Sequence, residues 1–113
     1  MTNGFHAYQV AIELVRALRP LLVTLRTHDR NLADQARRAA TSVPLNVAEG
    51  RRRVGGDRLQ LFRVALGSTA EIGAALDVAL AWGYLAEDAI ASALVLLDRE
   101  RALLWRLTHG REG

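Results

Sequence analysis

Apolar residues recur at intervals of three and four along nearly the whole chain, and no stretch alternates with period two for long enough to make a convincing strand. The pattern predicts four helices. The first runs from about residue 5 to 27, where Tyr8, Ile12, Val15 and Leu22 together with Ala11, Leu14, Leu18, Leu21 and Leu25 give a wide apolar face. Pro20 falls inside it. A proline there lacks an N–H and clashes with the preceding turn, which predicts a kink near Arg16 to Arg19 or a break into two pieces. Thr27 to Asn31 reads as a polar turn with Asp29 or Asn31 as N-cap, and a second helix follows over about 30–53, interrupted by Pro44. Its end is marked by Arg51, Arg52 and Arg53, which suit a helix C-terminus, and by the Gly55-Gly56 pair.

The third helix, about 57–82, carries two apolar or small stripes. Leu59, Phe62, Leu66, Ala70, Gly73, Leu76 and Leu80 approach a heptad repeat, and Leu61, Ala65, Ser68, Ile72, Ala75 and Ala79 lie beside them. That is more apolar surface than one core-facing stripe requires, so this helix is expected to be central or to touch a second subunit. Gly83 to Leu85 makes the next turn, and the fourth helix covers about 86–108, with Glu87 and Asp88 in its first turn and Arg106 in its last, both favourable to the helix dipole. Helices of roughly 20 to 24 residues are about 30 to 36 Å long at 1.5 Å per residue. With connections this short, neighbours should run antiparallel, which predicts an all-α, up-down-up-down four-helix bundle over residues 1–113 as a single domain.

Composition narrows the class. Of the 113 residues 50% are apolar and none is Cys, so the core holds by packing, without disulfides, thiolate metal sites or a Cys nucleophile. Arg, Asp or Glu interrupts every long apolar run, and Met1 to Gly4 lacks a signal peptide's basic and apolar regions. The expectation is a cytoplasmic protein with no membrane partner.

Charge is unevenly placed. All 15 basic residues are Arg, and residues 1–63 hold 11 of them against five acids, whereas residues 64–98 hold five acids and no base. The net +3 is therefore a difference between oppositely charged segments. Such a chain can bind nucleic acid along one surface or pair its own basic and acidic surfaces between subunits.

Catalytic and metal-binding patterns are absent. His6, His28 and His109 lie near helix ends without the spacing of a bundle metal site. The segment from Gly50 to Gly55 imitates the start of a phosphate-binding loop, but Gly56-Asp57 stands where Lys and Ser or Thr are needed. Ser42 and Ser68 have no base or oxyanion donor indicated by the sequence. No catalytic residue, metal ligand or cofactor is expected.

Two polar sets remain. Gln35, Ser42, Asn46 and Glu49 share one side of the second helix, and Ser68 and Glu71 form a similar pair on the third; such groups fix register across helix or subunit interfaces by hydrogen bonding. The other set is basic. Arg37, Arg38, Arg51, Arg52, Arg53, Arg58 and Arg63 fall within 27 positions, and a hairpin about the Gly55-Gly56 turn gathers Arg51 to Arg58 at one bundle end. Aromatic residues lie mostly outside that set, so contact would be with the phosphate backbone of RNA or DNA and salt-sensitive, not a base-stacking platform.

The run from Gln35 to Gly50, QARRAATSVPLNVAEG, resembles the signature of the small four-helix bundle family named after proteins encoded in 23S ribosomal RNA intervening sequences. Ala65 to Ser68 with Glu71 resembles a second family signature, Gly83 to Leu85 the turn before its last helix, and Tyr8 with Ala11 its first helix. The resemblance spans about residues 5–108. It implies a homopentameric, ring-like assembly with no established catalytic activity, related to the accessory variability determinant proteins of diversity-generating retroelements, which bind nucleic acid and a reverse transcriptase. Carried over, Gln35, Arg38, Ser42, Asn46, Glu49, Gly50, Gly67, Ser68 and Glu71 match the pattern and read as fold and assembly determinants. Two positions depart from it: Arg58 stands where many members have an aromatic residue, and Pro20 interrupts a first helix usually continuous.

Two function classes follow. One is a non-enzymatic oligomer that contacts nucleic acid through the seven arginines as an accessory protein, with a reverse transcriptase as the partner the resemblance implies. The other is a structural or adaptor oligomer that binds a protein partner without nucleic acid. A small hydrolase or nuclease has no metal cluster or catalytic constellation behind it.

Overall fold

The structure is a computed structural model and describes residues 4–110. All regular structure among the described residues is helical: α1 (Phe5–His28), α2 (Arg30–Arg51), α3 (Gly55–Trp82) and α4 (Glu87–His109). Packing runs α1 to α2, α2 to α3, α3 to α4 and α4 back to α1, a four-helix bundle with outer dimensions of 44 × 22 × 19 Å. Each helix therefore has two neighbours, and the α1/α2 groove lies across the bundle from the α3/α4 groove.

Local chemistry sets the connections at one end of the bundle. Asp29 ends α1 and caps α2: its N–H donates to the Leu25 carbonyl at 2.8 Å, and its carboxylate accepts from the Leu32 N–H at 2.9 Å. Gly83 closes α3 at φ +80, where a side chain would be strained, and Tyr84 N–H returns to the Ala79 carbonyl at 2.8 Å. The Tyr84 ring stacks on His28 with centroids 5.1 Å apart, so the α1–α2 and α3–α4 turns share one end of the bundle. At the other end, a Cβ on Gly4 would lie 3.1 Å from Arg51 Cγ and from Phe62 Cζ, which places the start of α1 against the end of α2 and the start of α3.

Three local expectations change. Helix α1 is continuous through Pro20 and α2 through Pro44. In neither case does the lost hydrogen bond end the helix, because the apolar residues on both sides, among them Leu18 and Leu21 in α1 and Val43 and Val47 in α2, are held in the same core. The Gly55-Gly56 pair opens α3 and does not terminate α2, with Gly55 at φ +62 just after the extended Val54. Helix α3 is long and apolar enough, by length and composition, to cross a membrane, although Glu71 and Asp77 interrupt its apolar run. In the bundle its Phe62, Ala65, Ile72, Leu76 and Ala79 are core residues.

The core is built from large residues on α1, α3 and α4, such as Leu14, Leu18, Phe62, Ile72, Leu97 and Leu104, against a small-residue face of α2 formed by Ala33, Ala36, Ala39 and Ala40. Small side chains let α2 sit close to its neighbours. Val64, Val78, Trp82, Val95 and Trp105 stay exposed on α3 and α4, so part of the apolar excess noted in α3 does lie outside the core of one chain.

Candidate nucleic-acid interface and polar groove

The seven arginines occupy three places. Arg51, Arg52, Arg53 and Arg58 meet at the α2–α3 turn. Arg37 and Arg38 lie on α2 about 20 Å away at 1.5 Å per residue, and they diverge: Arg37 lines the α1/α2 groove, Arg38 the α2/α3 groove. Arg63 is exposed on α3.

Within the turn the four guanidiniums do different work. Arg51 packs over the Phe5 ring at 5.0 Å, and its Nε is buried without a hydrogen-bond partner. Arg58 donates from Nε to the Gly50 carbonyl at 3.2 Å and from Nη2 to the Arg51 carbonyl at 3.1 Å. It thus caps α2 by satisfying carbonyls that a helix C-terminus leaves open. Arg53 pairs with Glu49 at 2.7 Å and lies 3.8 Å from Asp57. Arg52 reaches Glu49 only at 3.6 Å, and its side chain is 79% exposed, the most available cation of the group.

The polar signature residues gather in a groove between α2 and α3. Gln35, Arg38, Ser42, Ser68 and Glu71 line it, with Leu32 and Val78 among its apolar walls. Ser68 donates to Ser42 Oγ at 2.8 Å, and Asn46 Nδ2 donates to the Ser42 carbonyl and to its Oγ, both at 2.9 Å. This network ties the register of α2 to that of α3. Glu49 holds the arginine turn, and Gly50 leaves room for Phe62, whose ring a Cβ at residue 50 would overlap at 2.6 Å. Gln35 and Glu71 are exposed, and a Cβ on Gly67 would meet nothing within 4 Å. Arg38 and Glu71 line the same groove without forming an ion pair.

Among the described residues no three of His, Asp and Glu come together as a metal-binding group. His28 stacks on Tyr84, and His109 stacks on Trp105 at 4.4 Å with Nδ1 placed 2.9 Å from Thr108 Oγ1.

Sequence reasoning passed over Glu100. It is fully buried, neither carboxyl oxygen has a hydrogen-bond partner, and burial pushes its pKa up to about 8. The signal was present: Ala93, Leu97, Glu100 and Leu104 are spaced four, three and four apart, which puts a carboxyl on the core stripe of α4.

Residues 4–106 match the family model described as 23S rRNA-intervening sequence protein. Among solved structures, the chain is similar to a protein of unknown function from the S23 ribosomal protein family of Bacteroides thetaiotaomicron. That likeness has a TM-score of 0.83 at 17% identity and covers 91% of this chain and 98% of that one. At such identity it speaks for the fold alone. No curated protein matches the sequence.

Proposed function

The chain belongs to the 23S rRNA-intervening sequence protein family, and from that premise we propose that it is a non-enzymatic accessory protein acting as a ring-shaped homopentamer of antiparallel bundles. Its ligand is RNA or DNA, held by the phosphate backbone at the α2–α3 turn, and a reverse transcriptase is its protein partner. The observation that carries the nucleic-acid reading is the turn itself, where Arg52 and Arg53 stand beside Arg51 and Arg58 at an exposed end of the bundle. Arg58 and Arg51 shape the turn, and Arg52 with Arg53 supplies the charge that meets phosphates. Ser42, Asn46, Glu49, Gly50 and Ser68 serve the fold through the contacts described above. Gln35, Gly67 and Glu71 are left to contacts outside the chain.

The test is fluorescence anisotropy with a labelled single-stranded RNA and a labelled DNA duplex, in salt from about 50 to 200 mM. Binding should weaken steeply with salt and fall at least tenfold in the Arg52→Gln/Arg53→Gln variant. Salt-independent binding, or unchanged binding by a folded variant, overturns the reading.

One observation favours the adaptor alternative: the same turn holds Glu49 and Asp57, which already pair with Arg52 and Arg53. Under that reading no nucleic acid co-purifies, and salt alters only protein association.

A further inference from the structure

Among the described residues, two sets of unpaired side chains of opposite charge lie on opposite sides of the bundle. The α1/α2 groove has an apolar floor of Val15, Leu18, Leu22 and Ala40 and is rimmed by Arg16, Arg19, Arg26 and Arg37, with Asp34 its one acid. Arg26 is taken up by Asp34 at 2.9 Å. Arg16, Arg19 and Arg37 have no ion pair among the described residues.

Across the bundle, the α3/α4 side carries the complementary pattern. Leu66, Ala70, Asp98, Ala102 and Trp105 line its groove, with Arg101 the one base. Asp77 continues the Leu66–Ala70 row of α3, and Glu87 continues the Asp98–Trp105 row of α4, by helical spacing. Val95 and Trp105 are 59% and 54% exposed on this side. Asp77, Glu87 and Asp98 likewise have no ion pair among the described residues.

The two sets cannot meet within one chain because the core stands between them. They do share a height. The α1–α2 and α3–α4 turns lie at the same end, where His28 stacks on Tyr84. The arginine rim, from Arg16 to Arg26 and at Arg37, belongs to the half of the bundle near that end or its middle, as do Asp77, Glu87 and Asp98. Rotation about an axis parallel to the helices preserves height, so it brings the basic groove of one copy level with the acidic, apolar side of the next. Two different faces meeting in this way form a head-to-tail contact, the kind that closes into rings.

We infer that the occupant of the arginine-rimmed α1/α2 groove is the α3/α4 side of a second copy of this chain, with Arg16, Arg19 and Arg37 facing Asp77, Glu87 and Asp98 and with apolar contact from Val95 and Trp105. This rests on the proposed self-assembly and names the surfaces that perform it.

Sedimentation velocity on three full-length variants tests the contact. One carries R16E/R19E/R37E, the second D77R/E87R/D98R, and the third all six changes, with circular dichroism confirming that each remains helical. The first two should each lose assembly and run as the 12.4 kDa monomer. Their equimolar mixture, and the six-fold variant alone, should assemble again. In a Trp82→Phe background, Trp105 emission should shift to the blue as concentration rises, which reads the same contact without charge reversal. A monomeric parent chain, either triple variant assembling like the parent, or concentration-independent Trp105 emission overturns the inference. An assembly of another size that needs both faces supports the contact and removes the pentamer, and RNA anisotropy on the monomeric variants reports the nucleic-acid reading separately.

Discussion

Phe62 lies against Gly50 so closely that a single methyl group at residue 50 would come within 2.6 Å of Phe62 Cε1. The ring is among the largest fully buried side chains, and it packs where the end of α2, the start of α3 and Gly4 of the α1 terminus meet. One missing side chain thus allows three elements to close over one aromatic ring. Gly50→Ala should destabilise the bundle by about 1–3 kcal/mol, the usual range for overpacking a tight core. Phe62→Leu should relieve the clash, so the double variant should lose less than the two single losses combined. Strict additivity in urea titrations would show that the contact is not the cause.

The Ser42–Ser68 bond links α2 to α3 in mid-bundle, and Ser42 also receives Asn46. Ser68→Ala removes one donor and should cost about 1 kcal/mol. Ser42→Ala strands Ser68 and removes one of the two acceptors of Asn46 Nδ2, the Ser42 carbonyl remaining, and should cost more. Equal losses in denaturation experiments would argue that Asn46 finds water instead.

Arg58 holds the carbonyls of Gly50 and Arg51. Arg58→Ala should therefore lower stability by roughly 1–3 kcal/mol, as expected for hydrogen bonds from a charged donor. Lys, without the planar fork, should recover only part of it. Thermal melts read the fold and anisotropy reads nucleic-acid binding. A loss of binding with full stability would move Arg58 from the fold to the ligand.

Glu100 predicts a pH dependence with a definite sign. Its folded pKa, about 8, lies above the ordinary carboxyl value of 4.5, so the folded chain keeps a proton that the unfolded chain releases. Its effect is most favourable at acid pH. Stability should fall as pH rises from about 4.5 to 8, by at most about 1.4 kcal/mol per pH unit from this group. Glu100→Gln should flatten that slope, and the gain should be visible by urea titration at pH 8 and nearly absent at pH 5. A parallel profile in parent and variant would mean that Glu100 ionises as freely folded as unfolded.

Much of the fold is legible because helices follow local rules. Apolar spacing, Asp29 as a cap and Gly83 as a stop are each readable within a turn or two of chain. The prolines and the Gly55-Gly56 pair mislead for the same reason, since the propensities that argue for a break are local and the core that keeps α1 and α2 continuous is not. Polar residues show the limit most clearly. Ser42 and Ser68 are recognisable as partners by type and face, but their bond joins residues 26 apart. Glu49 and Arg53 are i and i+4 neighbours and therefore visible in the chain, whereas Arg58 as a cap for α2 depends on how the turn folds back.

By itself the sequence determined four helices, family membership and a charge that changes sign from the first half to the second, because periodicity, signature residues and composition are properties of order along the chain. Tertiary structure alone decided which arginines are engaged and which are free, that Glu100 is sealed in the core, and that the basic groove and the acidic side face away from each other at one height. Those are properties of distance and desolvation, which exist only once α1 to α4 have packed around a common core.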